Sequence, residues 1–420
     1  MNESDLQGMI TAAYAERERM CRSYFEAENT RLADLCLLMA RRFIRGGRLI
    51  AFGTGPAATD AQHVSVEFVH PVIVGKRALP AMALPNDAAS SVGLAVEDRM
   101  GFIAQQLATI AQPEDIALGM VHGPNDFGGD AARAALKQAQ SLGMLSIYLG
   151  GPGATADGGE HVFAVPSDDP FVVQEIHETL YHILWELVHV FFDHKGLLED
   201  RPKGPAHDTG RSSFLYPWLA EAESEKEPVL REVSNSVLQK SEDVIAMRNS
   251  SMDPEGLAET AHLIADRVKA GGKVLIFGNG GSATDAQDFC VDLVAPSSSG
   301  ARRKPVPALS LTNDAAVVTA VGNDVGFDNI FARQIIAYGN RGDVAVAIST
   351  SGGSRNVLAA VEEARRRGLL TVALAGYGGG RLASMCDRVH VITADYIPRI
   401  QEAQATQYHV LCGLLGRLLE

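Results

Sequence analysis

The 420-residue sequence carries one set of motifs twice, in the same order, and this repeat predicts two copies of one domain. The clearest pair is a glycine-flanked hydrophobic segment, GGRLIAFG at 46–53 and GGKVLIFG at 271–278. The other pairs are Asn86–Ala89 with Asn313–Ala316, Gln174–Glu175 with Gln401–Glu402, and His182 with His409. Order and spacing are kept, so both copies are expected to share one fold.

Short β-branched segments alternate with helical stretches within each copy. After the glycine-flanked strand, the first copy predicts strands at 79–84, 116–121, 145–149 and 161–165. The second copy predicts them at 306–311, 344–348, 370–375 and 389–392. This alternation favours an α/β fold in which each copy is a parallel, doubly wound (flavodoxin-like) sheet with helices on both faces.

A polar, proline-bearing stretch separates the copies. It contains DRPKGP at 200–205 and an acidic run at 221–227, which are typical of a linker. We predict a first domain over 1–204, a linker over 205–228 and a second domain over 229–420. N-terminal helices over about 4–28 and about 229–250 are expected to open the two copies.

Composition argues against nucleic acid and membranes as partners. The 37 Lys and Arg against 51 Asp and Glu give a net charge of -14, which does not favour binding to a phosphate backbone. No apolar run reaches the ~18 residues of a membrane span, and the N-terminus lacks signal-peptide features. The five cysteines are scattered without CxxC spacing, so neither a disulfide framework nor a thiolate metal site is predicted. We expect a cytoplasmic protein.

Two loops of the second copy have the composition of anion-binding sites. Gly278–Ala286 follows the first strand and opens a helix, so its amides can converge on an anion, and Ser282 adds a hydroxyl. Ala347–Asn356 follows a later strand and places four hydroxyl side chains before the next helix. Hydroxyls and helix N-terminal amides suit a phosphate monoester. Together the two loops predict a phosphate site.

These segments resemble the SIS (sugar isomerase) phosphosugar-binding fold, and within it the sedoheptulose 7-phosphate isomerase (phosphoheptose isomerase) family. The motifs are GNGGSATDAQ from Gly278, VGNDVGF from Val321, AISTSGGSRNV from Ala347, and RIQE from Arg399 through His409, over about 230–420. The resemblance implies an aldose–ketose isomerase acting on sedoheptulose 7-phosphate or a related ketose phosphate. The implied substrate- and phosphate-binding residues are Asn279, Gly280, Ser282, Asp324, Ser349, Thr350, Ser351, Ser354 and Gln401.

Isomerisation through an enediol needs a base beside the carbonyl and a group that moves protons on the oxygens, typically a carboxylate and a histidine. The family's glutamate and histidine fall on Asp292 and His409 in the second copy. Aspartate is one methylene shorter than glutamate, and such a change in reach can cost about a hundredfold in rate. The same two positions in the first copy are Glu67 and His182, which are therefore further catalytic candidates.

The first copy has lost the phosphate loops but keeps the acid–base set. Its glycine loop reads GTGPAA from Gly53, with alanine at the serine position, and its hydroxyl loop has become MVHGPN from Met120. By the resemblance, His63, Glu67, Gln174 and His182 match the zinc-associated positions of some phosphoheptose isomerases. His63 and Glu67 are four residues apart on one helix face, a spacing that lets both reach one metal. Zinc is the expected cofactor if there is one, and no nucleotide cofactor is expected.

The first copy lacks the phosphate loops and the second has an altered acid position, which predicts that the two copies contribute different residues to the function. The fused copies would pack as a pseudo-dimer, and two chains would form a homodimer that rebuilds the family's tetramer of SIS domains. The first copy's His63, Glu67 and His182 would serve a phosphosugar held by the second copy, or would only stabilise the contact; the sequence leaves both open.

Two other functions were considered. Both glycine loops fit the G-x-G-x-x-A pattern of dinucleotide-binding folds, but SSSGARRK at 297–304 stands where an acidic residue is needed. The stronger alternative is a non-catalytic phosphosugar sensor or protein-binding scaffold of the same fold. The altered acid position in one copy and the lost phosphate loops in the other favour that alternative, whereas the intact hydroxyl loop and His409 favour an enzyme.

Overall fold

Two five-stranded parallel sheets, one from each copy, form the framework of the molecule. A computed structural model describes residues 3–72, 76–123, 129–155, 158–198, 226–296 and 304–420. The first sheet has the order β2-β1-β3-β4-β5, and the second has the equivalent order β7-β6-β8-β9-β10. The strands are β1 Leu49–Phe52, β2 Ala81–Ala83, β3 Ile116–Val121, β4 Leu145–Gly150, β5 His161–Ala164, β6 Val274–Phe277, β7 Ala308–Ser310, β8 Val344–Ser349, β9 Leu370–Ala375 and β10 Arg388–Val391.

Helices cover both faces of each sheet, which confirms the predicted doubly wound α/β fold. The first copy contains α1 Glu3–Ile44, α2 Pro56–Val69, α3 Ala88–Glu97, α4 Phe102–Ile110, α5 Gly129–Ser141, α6 Pro170–Asp193 and α7 Lys195–Leu198. The second contains α8 Lys226–Ser250, α9 Pro254–Lys269, α10 Gly281–Val294, α11 Ala315–Asp324, α12 Ile330–Tyr338, α13 Arg355–Arg367 and α14 Ile397–Leu418. The strand pairs are parallel, and their registers correspond: Leu49 lies opposite Ile116 in one sheet, and Val274 lies opposite Val344 in the other.

The N-terminal helices differ between the copies. The helix predicted over about 4–28 continues further, because α1 is one continuous helix of 42 residues, Glu3–Ile44. In the second copy the break is real, because Asp253 accepts a hydrogen bond from the amide of Gly256 and Pro254 occupies the first turn of α9. A proline there cannot continue α8 into α9.

The two copies exchange parts of these helices. The first turns of α1 place Leu6, Ile10 and Tyr14 in the hydrophobic core of the second copy. In return, Val229, Val233, Val237 and Ile245 of α8 pack in the core of the first. The predicted domain boundaries therefore do not separate the two cores. Residues 205–225 of the predicted linker lie outside the described residues, and 226–228 already belong to α8.

The functional groups collect where the copies meet. Helix α2 packs against α10, and α6 packs against α14, at the junction between the two sheets. Among the described residues, no helix is both long and apolar enough to cross a bilayer.

Candidate active site

Two clusters of buried polar side chains lie at the junction, and each draws on both copies. The histidine cluster consists of His63 and Glu67 on α2, His182 on α6 and Gln401 on α14. The aspartate cluster consists of Asp288 and Asp292 on α10, His409 on α14 and Gln174 on α6. All eight side chains are buried. The clusters occupy equivalent places in the repeat, with His63 and Glu67 matched by Asp288 and Asp292.

The histidine cluster converges on one point. The Nε2 atom of His63 lies 3.8 Å from Oε1 of Glu67 and 3.1 Å from Nε2 of Gln401. The His63 and His182 rings meet edge to face, with centroids 5.2 Å apart. One potential ligand atom from each of His63, Glu67 and His182 lies within 4.8 Å of the other two. This spacing allows all three residues to contact one metal ion or one substrate group.

Several atoms of this cluster are left open to a ligand. Within the described part of the chain, no hydrogen-bond partner meets Nε2 of His182, Oε2 of Glu67 or Oε1 of Gln401. Burial lowers the pKa of His63 well below its usual value and raises the pKa of Glu67. A neutral imidazole is the form that binds a metal, and two imidazoles with a carboxylate are typical zinc ligands. The residues present therefore fit a zinc ion.

The glycine loop of the second copy reaches this cluster directly. Gly280 has φ 58° and caps α10, a backbone conformation that favours glycine. A Cβ on Gly281 would lie 1.9 Å from Nε2 of Gln401 and 2.6 Å from Nε2 of His63, so a larger residue there would displace side chains of the cluster. Ser282 follows in the first turn of α10 and is buried. The glycine loop of the second copy thus adjoins the histidines of the first.

The hydroxyl loop after β8 is closed by hydrogen bonds between its own amides and hydroxyls. Oγ of Ser349 accepts a hydrogen bond from the amide N–H of Gly352 at 3.1 Å, and Oγ of Ser351 accepts one from the amide N–H of Gly353 at 3.2 Å. Ser354 precedes α13 without using its hydroxyl as a cap, and Thr350 is half-buried. Gln404 on α14 donates to the carbonyl of Ser349 at 3.4 Å, which ties the loop to the junction.

Two residues expected to meet substrate hydroxyls are placed differently. Asn279 exchanges two amide hydrogen bonds with Asn356, at 2.9 and 2.8 Å, so its side chain braces the glycine loop against α13. Asp324 ends α11, is exposed, and accepts a hydrogen bond from Asn323 at 2.8 Å. These contacts give both residues local structural roles.

The first copy has the same loop backbone without its donors. Gly55 has φ 59° and caps α2, as Gly280 caps α10. The next residue is Pro56, which has no amide N–H to offer a phosphate. Ala57 replaces the serine, and His122 after β3 lies 2.8 Å from a carboxylate oxygen of Asp60. The predicted degenerate segment at 120–125 extends beyond the described residues at positions 124 and 125.

His409 in the aspartate cluster is held on both sides by carboxylates. Its Nδ1 lies 2.9 Å from Oε1 of Glu175, and its Nε2 lies 3.3 Å from Oδ2 of Asp288 and 3.7 Å from Oδ2 of Asp292. Burial alone would lower the pKa of His409, but the hydrogen bonds to Asp288 and Glu175 raise it to about 10. A doubly bonded imidazolium has no lone pair for a base or a metal ligand. This arrangement argues against Asp292 and His409 as the catalytic pair, and it favours Glu67 and His182 for that role.

The predicted metal set also needs one correction. Gln174 donates to Oδ1 of Asp60 at 3.4 Å and hydrogen-bonds Asp288, which places it in the aspartate cluster. Gln401 of the other copy contacts His63 in its place. The exchange follows from the packing, because the helices that carry the glutamines cross between the copies.

Sequence reasoning missed the charged residues around the two histidines. Glu402 bonds His182, Glu175 bonds His409, and Arg17 holds Glu175 at 2.8 Å. The repeated Gln-Glu pairs at 174–175 and 401–402 were visible in the sequence and could have indicated a shared role for the glutamates. Arg17 gave no such signal, since its partner is distant in the sequence.

Comparisons with known proteins agree with this architecture. The SIS domain model matches residues 14–146 and 240–376. The phosphoheptose isomerase of Rhodospirillum rubrum is 45% identical over 159 residues, covering 38% of this chain and 84% of that protein. The phosphoheptose isomerase of Helicobacter pylori (strain P12) is 42% identical over 163 residues, 39% of this chain and 84% of that protein. Each relative therefore matches about one domain.

Solved structures match over both domains. Tagatose-6-phosphate ketose/aldose isomerase from Escherichia coli has a TM-score of 0.52 at 12% identity, covering 97% of this chain and 93% of that one. The C-terminal domain of glucosamine-fructose-6-phosphate aminotransferase from Francisella tularensis has a TM-score of 0.52 at 10% identity, with 94% of each chain covered. At these identities the similarity shows the fold alone.

Proposed function

Because the chain belongs to the SIS domain family, with two tandem SIS domains, we propose that it is an aldose–ketose isomerase of phosphosugars with one composite active site per chain. The observation that carries the proposal is the contact of Gly281 with His63 and Gln401, which joins the phosphate loop of the second copy to the histidine cluster. Ser282, Ser349, Thr350, Ser351 and Ser354 would hold the phosphate, and Gly280 would allow the loop amides to approach it.

Glu67 and His182 are the acid–base pair of this proposal. Burial raises the pKa of Glu67 toward the working pH, which suits a general base. Glu67 removes a proton from C1 of the ketose and returns it to C2. His182 presents an open Nε2, which accepts the proton of the C1 hydroxyl and delivers a proton to the C2 oxygen. One proton moves between the carbons and one between the oxygens, so the reaction is a balanced isomerisation.

Zinc is the proposed cofactor of the histidine cluster. His63, Glu67 and the amide oxygen of Gln401 would hold the ion, because they supply donors that zinc prefers. A bound zinc would polarise the sugar carbonyl and its enediol oxygens. His182 would stay outside the ligand set, because the single lone pair on its Nε2 is needed for proton transfer.

The substrate we favour is sedoheptulose 7-phosphate. The support is the similarity of about one domain to phosphoheptose isomerases, together with the hydroxyl loop after β8. The aspartate cluster would not act as a second active site, since His409 is bonded on both ring nitrogens and Pro56 removes a phosphate donor.

A homodimer is the proposed assembly. Helices α3 and α11 occupy equivalent positions in the two copies, are rich in alanine and valine, and contain no buried residue within the described chain. Val92 and Val96 are 65% and 83% exposed, and Phe327 beside α11 is 59% exposed. Apolar helices of this kind usually mark a protein contact. A second copy would cover both faces and give the four SIS domains of a pseudo-tetramer.

The proposal is tested by assaying the purified protein with sedoheptulose 7-phosphate and five- and six-carbon ketose phosphates, with and without zinc. We expect turnover of a ketose phosphate that Glu67→Gln lowers by about 10²–10⁴-fold. Absence of turnover on every substrate, with thermal stabilisation by phosphosugars that Ser349→Ala weakens, would instead favour a phosphosugar sensor or scaffold.

A further inference from the structure

The histidine at the centre of the proposed site is bonded to a carboxylate from the other copy. The Nδ1 atom of His182 lies 2.9 Å from Oε1 of Glu402, and both side chains are fully buried. An ionised carboxylate can only accept a hydrogen bond. The proton of a neutral His182 must therefore sit on Nδ1, and Nε2 keeps its lone pair.

Glu402 is itself held in the ionised, oriented form. Arg399, one turn earlier on α14, bonds both of its carboxylate oxygens. Arg399 also donates to Glu186 of α6 at 3.2 Å, and Glu186 is bonded by Lys240 of α8. The chain of charges links α6, α8 and α14, and it ends on the ring of His182.

The aspartate cluster shows what the same bond does in a different setting. Glu175 meets Nδ1 of His409 at 2.9 Å, but Asp288 then occupies Nε2 at 3.3 Å. In the histidine cluster, His63 stands in place of Asp288, and Nε2 of His182 has no hydrogen-bond partner among the described residues. The glutamate bond is thus common to both clusters, and only the histidine cluster leaves the opposite nitrogen open.

We propose that Glu402 is a positioning residue that keeps the proton of His182 on Nδ1 and directs the Nε2 lone pair at the ligand. The inference rests on the proposed function, and it assigns to the second copy a role beyond holding phosphate. It also explains why α14 must cross the junction: the ring of His182 in the first copy is oriented by Glu402 of the second.

Replacing Glu402 by glutamine is expected to change the tautomer of His182. Arg399 bonds Oε2 of Glu402 as well as Oε1, so when the amide oxygen takes the Oε2 position the NH2 group faces Nδ1 of His182. That nitrogen must then accept, which moves the ring proton to Nε2 and removes the lone pair. Loss of such an orienting partner typically costs about 10–100-fold in activity or metal affinity.

The test compares Glu402→Gln with Glu175→Gln, the same change at the equivalent bond of His409. We expect Glu402→Gln to lower kcat by about 10–100-fold with KM within about threefold. Glu175→Gln should leave kcat within about twofold while lowering the melting temperature. Equal kcat in wild type and folded Glu402→Gln would overturn the proposal. If Glu402→Gln does not fold, Glu402→Asp, which keeps the charge opposite Arg399, takes its place: a lower kcat at unchanged KM supports the proposal, and an unchanged kcat overturns it.

A second readout separates this inference from the proposed function. Long-range ¹H–¹⁵N NMR spectra of histidine-labelled protein report the ring tautomer without substrate, with His182→Asn used to assign the signal. We expect the Nδ1–H form in wild type and the Nε2–H form in Glu402→Gln. The Nε2–H form in wild type would overturn the positioning role even if the protein proved to be an isomerase. The expected tautomers in a protein without turnover would contradict only the proposed isomerase activity.

Discussion

The Nδ1 atom of His409 lies 2.9 Å from Oε1 of Glu175, a residue of the other copy. This ion pair is buried, and Arg17 bonds both oxygens of the same carboxylate, at 2.8 and 3.0 Å. It is the counterpart of the bond between His182 and Glu402. One duplicated contact therefore serves stability in the aspartate cluster and, in our account, chemistry in the histidine cluster.

The His409 ion pair should make stability depend on pH. The pKa of His409 is raised to about 10 from 6.5, so its contribution is fully present below pH 6.5, declines above it, and is lost as pH passes about 10. His409→Gln should lower the free energy of unfolding by roughly 3–5 kcal/mol at pH 6. The deficit relative to wild type should shrink at pH 10. Denaturant titrations at both pH values measure it, with His262→Gln as control. A deficit that does not change with pH would contradict the assignment.

Phosphate binding should depend on the second copy alone. Ser282→Ala removes a hydroxyl from the loop and should raise KM for the phosphosugar about tenfold or more, since a hydrogen bond to a charged group is worth about 1.5–3 kcal/mol. The reverse change in the first copy, Ala57→Ser, should leave KM unaltered, because Pro56 still lacks a donor. Steady-state kinetics on both variants provide the measurement. A tighter KM in Ala57→Ser would indicate that the first loop also binds substrate.

Zinc should bind in about one equivalent per chain, because the histidine cluster brings two imidazoles and a carboxylate together, with Gln401 beside them. Elemental analysis after dialysis against zinc should find this equivalent in wild type and in Asp288→Asn. The metal should be lost from His63→Ala. Two equivalents in wild type, or retention in His63→Ala, would assign the metal elsewhere.

Charges on the exposed apolar helices should separate the proposed homodimer. Val96→Lys in α3 combined with Phe327→Lys beside α11 places like charges on the two exposed surfaces. Light scattering after size exclusion should then report a monomer, whereas Ile44→Lys at the end of α1 should leave the dimer intact. A wild-type monomer, or a dimer in the double variant, would rule out this interface.

Much of the fold follows from local sequence signals. Strands at 116–121 and 370–375 match β3 and β9 to the residue, because short, predominantly apolar segments are typical of buried parallel strands. The unbroken α1 was missed, since nothing local distinguishes one long helix from two. The exchange of α1 and α8 between cores depends on packing between residues far apart in the sequence, which periodicity cannot reveal.

The candidate site was predicted in its members but not in its pairing. His63, Glu67 and His182 do converge, as the resemblance to phosphoheptose isomerases implied. The partner glutamine came from the wrong copy, because the sequence does not show that α6 and α14 cross at the junction. Asp292 and His409 were predicted as the first catalytic pair because the sequence does not show which carboxylates pack against His409.

The most direct test of one composite site per chain is the turnover of His182→Ala beside that of His409→Gln, each at saturating phosphosugar and with folding checked by circular dichroism. The account predicts that His182→Ala loses about 10²–10⁴-fold in kcat. It predicts that His409→Gln stays within about threefold of wild type, despite its lower stability. Loss of turnover in His409→Gln with activity retained in His182→Ala would contradict the account and return the chemistry to the aspartate cluster.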